Sequence, residues 1–226
     1  MKLSAVSLVM VIVLGIVARG ALGQANAPTT TPTTQPGTAG TIANAPTDVR
    51  PLSTGDHIPA AALTSTDGKP IELAAEVAKM PTVLIFYRGG WCPFCNAQMN
   101  GLQGIVKDLQ TSGYQLLAIS PDLPAELNKS IEKHALTYTL LSDPHAAAIQ
   151  AFGLAYRVND ETYGQMMHFG VDLEKSTGDT HHILPVPAVY IVGTDGVIRF
   201  VHYDPDYRKR MDPAEILKEA NAARGN

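Results

Sequence analysis

Pro81 to Tyr87 (PTVLIFY) and Gln115 to Ser120 (QLLAIS) are short runs whose centres are apolar at consecutive positions. A strand buried on both faces needs such a run, so both are predicted as central strands of one sheet. Between them Met99, Leu102, Ile105, Val106 and Leu109 recur at helical spacing. They predict a helix that begins at Pro93, where a missing N–H costs nothing, and stops near Gly113. Ile58 to Leu73 reads as a β-hairpin turning at Thr66-Asp67-Gly68, and the strands Pro187 to Val192 and Val197 to Tyr203 as a second one turning at Thr194-Asp195-Gly196. Pro124 to Ala135 is predicted helical and Tyr138 to Leu141 a short strand. Asp143 and Pro144 are expected to cap and open a third helix ending near Gly153, and Asp212-Pro213 to cap a last one running to Ala223. Ala155 to Pro185 carries no such pattern and is expected to be a long irregular insertion, a length at which loops are usually functional. Strands alternating with helices and closing on a hairpin give an α/β fold with a central sheet of mixed direction.

Two segments stand outside this pattern. Met1-Lys2, the apolar run Leu3 to Ala18 and the small residues around Ala21-Leu22-Gly23 form a secretory signal, expected to be cleaved after Gly23 or Ala25. Left uncleaved, the same segment would tether the protein to a membrane. Gln24 to Arg50, rich in Pro, Thr, Ala and Gly, is expected to be a disordered linker, with the folded domain spanning 51–226. These features imply an exported protein, periplasmic or otherwise extracytoplasmic. Of the 226 residues 45% are hydrophobic, and 17 Lys and Arg against 21 Asp and Glu give a net charge of −4. That balance lacks the basic footprint of a nucleic-acid partner.

The chain has two cysteines, Cys92 and Cys95, in Trp91-Cys92-Pro93-Phe94-Cys95. A bridge closing so small a loop adds little stability, so in an exported protein the pair implies reactivity or metal binding. The motif falls where a buried strand hands over to a Pro-started helix. There the helix N-terminus favours a thiolate, and Arg88 would add a full charge. Cys92 is then the nucleophile and Cys95 the resolving thiol. A structural zinc site is the competing reading, but it needs two more ligands, and the adjacent His181-His182 lack the usual spacing. Asn96 stands where a haem-attachment motif has its histidine. Asp122 and His145 are candidate proton shuttles, but the reading preferred for them is a turn residue and a helix-start residue. His168, His181 and His182 read as surface histidines near the insertion, and Tyr203, Asp204, Asp206 and Arg208 as turn chemistry.

The stretch Phe86-Tyr87-Arg88-Gly89-Gly90-Trp91-Cys92-Pro93-Phe94-Cys95 resembles the alkyl hydroperoxide reductase / thiol-specific antioxidant family, in its peroxiredoxin-like branch. Asp67-Gly68-Lys69, Ile119-Ser120-Pro121, Leu141-Ser142-Asp143, Pro185-Val186-Pro187-Ala188 and Thr194 to Phe200 extend the likeness over about residues 52 to 220. The resemblance implies a thioredoxin-like fold with an N-terminal β-hairpin. It also implies a cis Val186-Pro187 bond facing the cysteines, with the Val186 backbone presented to a substrate chain. Trp91 would pack over the sulfur pair, and Pro93 would start the helix.

The implied activity is a thiol peroxidase, reducing hydroperoxides through a Cys92/Cys95 cycle with a thioredoxin-like dithiol as reductant and no cofactor. The departures are specific. Gly89 and Ile85 stand where the family carries Thr and Pro, and Pro187 where it carries an Arg beside the peroxide, leaving Arg88 or Arg199 to substitute. Two cysteines in one motif also suit dithiol–disulfide exchange with exported protein disulfides. A metal-handling thioredoxin-fold protein is the third reading.

Overall fold

Side chains of a strand point alternately to the two faces of its sheet, so a strand apolar at every position must be covered on both. The computed structural model, which describes residues 40–224, builds a seven-stranded sheet in the order β2-β1-β5-β4-β3-β8-β9. The strands are β1 (Ala62–Ser65), β2 (Pro70–Glu72), β3 (Thr82–Phe86), β4 (Gln115–Ser120), β5 (Thr139–Ser142), β8 (Ala188–Val192) and β9 (Ile198–Tyr203). β3, β4 and β5 are parallel, and the hairpins β1–β2 and β8–β9 add antiparallel edges. The sheet is therefore mixed, as the pattern required.

Alternation divides the core into two layers. Val83, Ile85, Leu116, Ala118, Val189 and Ile191 face one side, where α2 (Pro93–Thr111) and α7 (Pro213–Ala223) cover them with Met99, Leu102, Val106, Leu109, Ile216 and Ala220. Cys92 and Cys95 belong to this layer. Leu84, Phe86, Leu117, Ile119, Ala188 and Tyr190 face the other side. Its centre is an aromatic triad. The Phe152 ring lies 4.7 Å from that of Phe86 and 5.2 Å from that of Tyr190, both tilted off parallel, the arrangement that ring quadrupoles favour. α3 (Pro124–His134) connects β4 to β5, and α1 (Leu73–Val77), a single turn absent from the sequence expectation, follows β2 and buries Leu73 and Val77.

Three expectations need correction. The segment 155–185 is ordered: β6 (Ala155–Arg157) pairs antiparallel with β7 (Ile183–Pro185), and α5 (Asp160–His168) and α6 (Leu173–Thr177) lie between them. Asn159 and Asp172 cap these helices, accepting from the Thr162 and Lys175 N–H groups. α5 has no fully buried residue, and only Tyr163 and Met166 pack half-buried on the core, too narrow a stripe to reveal it. The third helix, α4 (Ala147–Ala151), begins later than expected, leaving Pro144 outside it. Ala146, not Asp143, is its N-cap residue, and Asp143 serves the helix from outside, accepting the Ala147 and Ile149 N–H groups at 2.8 and 2.9 Å. Residues 40–50, placed in a disordered linker by composition, are held against the domain. Ala43 exchanges backbone hydrogen bonds with Ala155 and Arg157, and Val49 is buried. Arg50 donates its N–H to Gly153, whose φ of +69° and missing Cβ permit that approach. The signal segment and residues 24–39 of the linker lie outside the described residues.

Truncating the centre of the aromatic triad removes its largest shared contact. Phe152→Ala should cost about 3–5 kcal/mol of unfolding free energy, read from the denaturant midpoint.

Candidate active site

β3 ends at Phe86, and the chain must turn within Tyr87 to Trp91 before α2 starts at Pro93. Gly89 makes this possible at a φ of +149°, where a Cβ would fall onto the Trp91 indole nitrogen and within 2.8 Å of an Asp122 carboxylate oxygen. A Cβ on Gly90 would strike the Ser130 hydroxyl. The turn is fastened from behind: Asp122 Oδ2 accepts the Gly90 N–H at 2.7 Å, and the Asn96 amide donates to the Gly90 carbonyl at 3.0 Å. Asp122 is itself buried, and burial pushes its carboxyl up to about 7. It floors an open cleft of about 330 Å³ between the turn, α3 and the α5–α6 joint.

Cys92 stands at the N-cap position of α2 and Cys95 one turn in. Both are fully buried and unbonded to each other. The Cys95 thiol donates a hydrogen bond to the Cys92 sulfur and is the strongest influence lowering the Cys92 thiol, to about 6. Burial opposes this, while the Cys95 backbone N–H and the charges of Arg88 and Arg210 add to it. Cys95 is pushed the other way, well up, first by its bond to Cys92, then by burial and the Cys92 charge. The pair is thus biased toward a charge on Cys92, with the proton held on Cys95.

Arg88 is buried, with its guanidinium 4.0 Å from the Tyr207 ring centre and 5.0 Å from that of Trp91. Tyr207 meets Phe94 edge to face at 5.8 Å, so two half-exposed aromatics flank the dithiol. Trp91 packs against both core layers. Pro93 occupies the first helical position.

Arg210 was not anticipated. Its Nη2 reaches the Cys95 sulfur at 3.4 Å, 115 positions away along the chain. The run Tyr207-Arg208-Lys209-Arg210 reads as a charged loop, and no periodicity singles out one of its members. The register places it: Ala188 pairs with both Phe86 and Tyr203, so the chain leaving β9 emerges beside the end of β3. Asp204 and Asp206 shape the loop by accepting the Asp206 and Arg208 N–H groups, which is turn chemistry.

The other candidates lie elsewhere. Arg199, the second residue of β9, pairs at 2.7 Å with Asp195 of the β8–β9 turn, at the opposite end of these strands from the cysteines. Val186 is buried with the aromatic triad, and its N–H donates to the Leu154 carbonyl at 2.9 Å, so that amide is engaged inside the domain rather than presented to a substrate chain. Pro187, at the head of β8, lines a narrow cleft with Gln98, Arg210 and Met211. His145 pairs with Asp179 and His182 with Glu174, each at 2.9 Å, and His181 bonds the Pro144 carbonyl and the Ile183 N–H. His168 ends α5 beside Phe169. Among the described residues no group of three or more His, Cys, Asp or Glu is placed to hold a metal.

Residues 54–201, more than half of the chain, match the sequence model of the AhpC/TSA family. The chain belongs to this family. Peroxiredoxin Bcp of Escherichia coli K12 is 32% identical over 106 residues, covering 47% of this chain and 67% of that protein. In fold, the AhpC/TSA chain superposes on Mycobacterium tuberculosis peroxidoxin BcpB with a TM-score of 0.60 at 19% identity, over 77% of this chain and 97% of that one. It superposes on Vibrio vulnificus Prx3, solved reduced and in complex with hydrogen peroxide, with a TM-score of 0.62 at 17% identity, over 75% and 99%. The fold is thioredoxin-like, and this family member is a thiol-dependent oxidoreductase.

Two measurements follow from the electrostatics. Alkylation of the reduced protein by iodoacetamide should rise with a midpoint near pH 6, against about 8.5 for an ordinary thiol, and Cys95→Ala should move that midpoint upward. Asp122 releases its proton near pH 4 when unfolded and near 7 when folded, so the folded state binds more protons between those values and stability falls as pH rises through them. Asp122→Asn should flatten that slope in denaturant midpoints, leaving the share due to Asp143, whose buried carboxyl is pushed up to about 6.

Proposed function

We propose that this protein reduces hydroperoxides through a Cys92/Cys95 dithiol cycle, in an exported compartment, with a thioredoxin-like dithiol as its reductant. The observation that carries the reading is the placement of Cys92 at the N-cap of α2, buried, with Cys95 one turn on and Arg88 and Arg210 close enough to lower its thiol. The Cys92 thiolate attacks the terminal peroxide oxygen. An S–O bond forms, the O–O bond breaks, and the leaving alkoxide takes a proton to become alcohol. Cys92 is left as a sulfenic acid. Cys95 condenses with it, forming the disulfide and releasing water, and the external dithiol restores both thiols while becoming a disulfide itself.

With Gly89 in place of a threonine and Pro187 in place of an arginine, positive charge at the O–O bond must come from elsewhere. Arg88 is the group in place for it, fixed by its two aromatic neighbours. Export rests on the Lys2, apolar and small-residue pattern of the first 23 residues, which also leaves a membrane tether open. Among the described residues no helix is long and apolar enough to cross a membrane.

The spacing of the two sulfurs also favours a second reading, exchange with exported protein disulfides, and one assay separates the two. Purified protein with a thioredoxin-like donor should consume hydroperoxide catalytically. Cys92→Ser should abolish consumption. Cys95→Ser should permit a single equivalent and accumulate a sulfenic acid trappable by dimedone. Reduction of a protein disulfide with no peroxide consumption would replace this reading with the second.

A further inference from the structure

Both guanidinium groups lower the Cys92 thiol, Arg210 least of the influences on it, whereas Arg210 is the one in contact with Cys95. Arg88 lies between Tyr207 and Trp91 on the side of the turn, while Arg210 touches Cys95. The Arg210 guanidinium is fixed from behind: Nη1 donates to the Tyr207 carbonyl and, at 2.8 Å, to the Lys209 carbonyl, and Nη2 is left to reach the Cys95 sulfur at 3.4 Å. Two residues further on, Asp212 caps α7, which buries Ile216 and Ala220 in the same layer as both cysteines. The position of Arg210 is thereby tied to the helix pair that carries the dithiol.

We propose, resting on the dithiol cycle above, that Arg210 is a catalytic residue for the second cysteine, stabilising the Cys95 sulfur as a thiolate whenever Cys92 carries no charge. In the reduced protein the Cys92 anion, together with burial, keeps Cys95 protonated, and Arg210 is the influence opposing them. Oxidation of Cys92 to the neutral sulfenic acid removes the anion but not the guanidinium. Cys95 then loses its proton to solvent and attacks the Cys92 sulfur. The S–S bond forms and the S–O bond breaks, and the departing hydroxide takes a proton to leave as water.

The same contact serves the opening step. An external thiolate attacks the Cys92 sulfur, a mixed disulfide forms, and the electron pair of the broken Cys92–Cys95 bond goes to Cys95 beside Arg210. A charge-assisted bond to a leaving anion is worth roughly tenfold or more in rate.

The test uses the full protein with Arg210→Met and Arg210→Lys, and stopped-flow measurement of three rates. These are opening of the preformed disulfide by dithiothreitol, closure after one equivalent of hydrogen peroxide, and iodoacetamide alkylation of Cys92 in the reduced protein. Arg210→Met should slow opening and closure by roughly tenfold or more at pH 7, while alkylation changes by less than about threefold. Arg210→Lys should recover part of both losses. Opening and closure within twofold of wild type, or a loss in alkylation as large as the loss in opening, would overturn the proposal. If Arg210→Met fails to fold, Arg210→Lys decides alone: an intermediate slowing of opening supports the assignment and an unchanged rate overturns it. Should the wild-type protein consume no peroxide, the hydroperoxide reading fails while dithiothreitol opening still reports on Arg210.

Discussion

An anion removed from water persists only if fixed partners replace the hydration it has lost. Cys92 has no exposed surface, yet its surroundings lower its thiol and favour the anion. The replacement comes from three parts of the chain. The start of α2 supplies the Cys95 thiol and backbone N–H, the end of β3 supplies Arg88, and the loop after β9 supplies Arg210. The sheet brings these together, because β8 runs antiparallel to β3 and β9 antiparallel to β8, so the loop leaving β9 returns to the end where β3 gives way to α2.

The turn between β3 and α2 meets a second constraint. It must carry Arg88 and Trp91 in opposite roles, one charged and one apolar, within a few residues of a helix that has yet to begin. Two consecutive glycines allow the backbone to lie against Trp91, Asp122 and Ser130. Asp122 then accepts a turn N–H through a carboxyl that burial pushes up to about 7, so it changes charge within the physiological range. The site is thus supported from both faces of the sheet: the dithiol in one core layer, and Trp91 bridging that layer and the other.

Much of this was legible in the sequence, for reasons that also mark where legibility ends. β3 and β4 declare themselves because burial on both faces forbids polar alternation, and α2 because one face of it must meet them. The cysteine pair is visible because strand, glycines, proline and thiols are contiguous. The α5–α6 insertion hid because α5 has no fully buried residue, and strands of three residues are too short to show a period. Residues 40–50 hid because few apolar side chains, Ile42, Ala43 and Val49, anchor them, and backbone hydrogen bonds, to which composition is blind, supply the rest. Arg210 hid for a different reason: its partner is set by strand register and not by spacing, and it sits in a loop with Arg208 and Lys209, which sequence alone cannot distinguish from it.

The chain contains a single tryptophan, and it is the residue immediately before the nucleophile. Its indole lies beside the Arg88 guanidinium and packs into both layers of the core. Indole emission therefore originates wholly within the region where sulfur changes oxidation state. The protein carries its own optical probe there, and its turnover can be followed by light without a label.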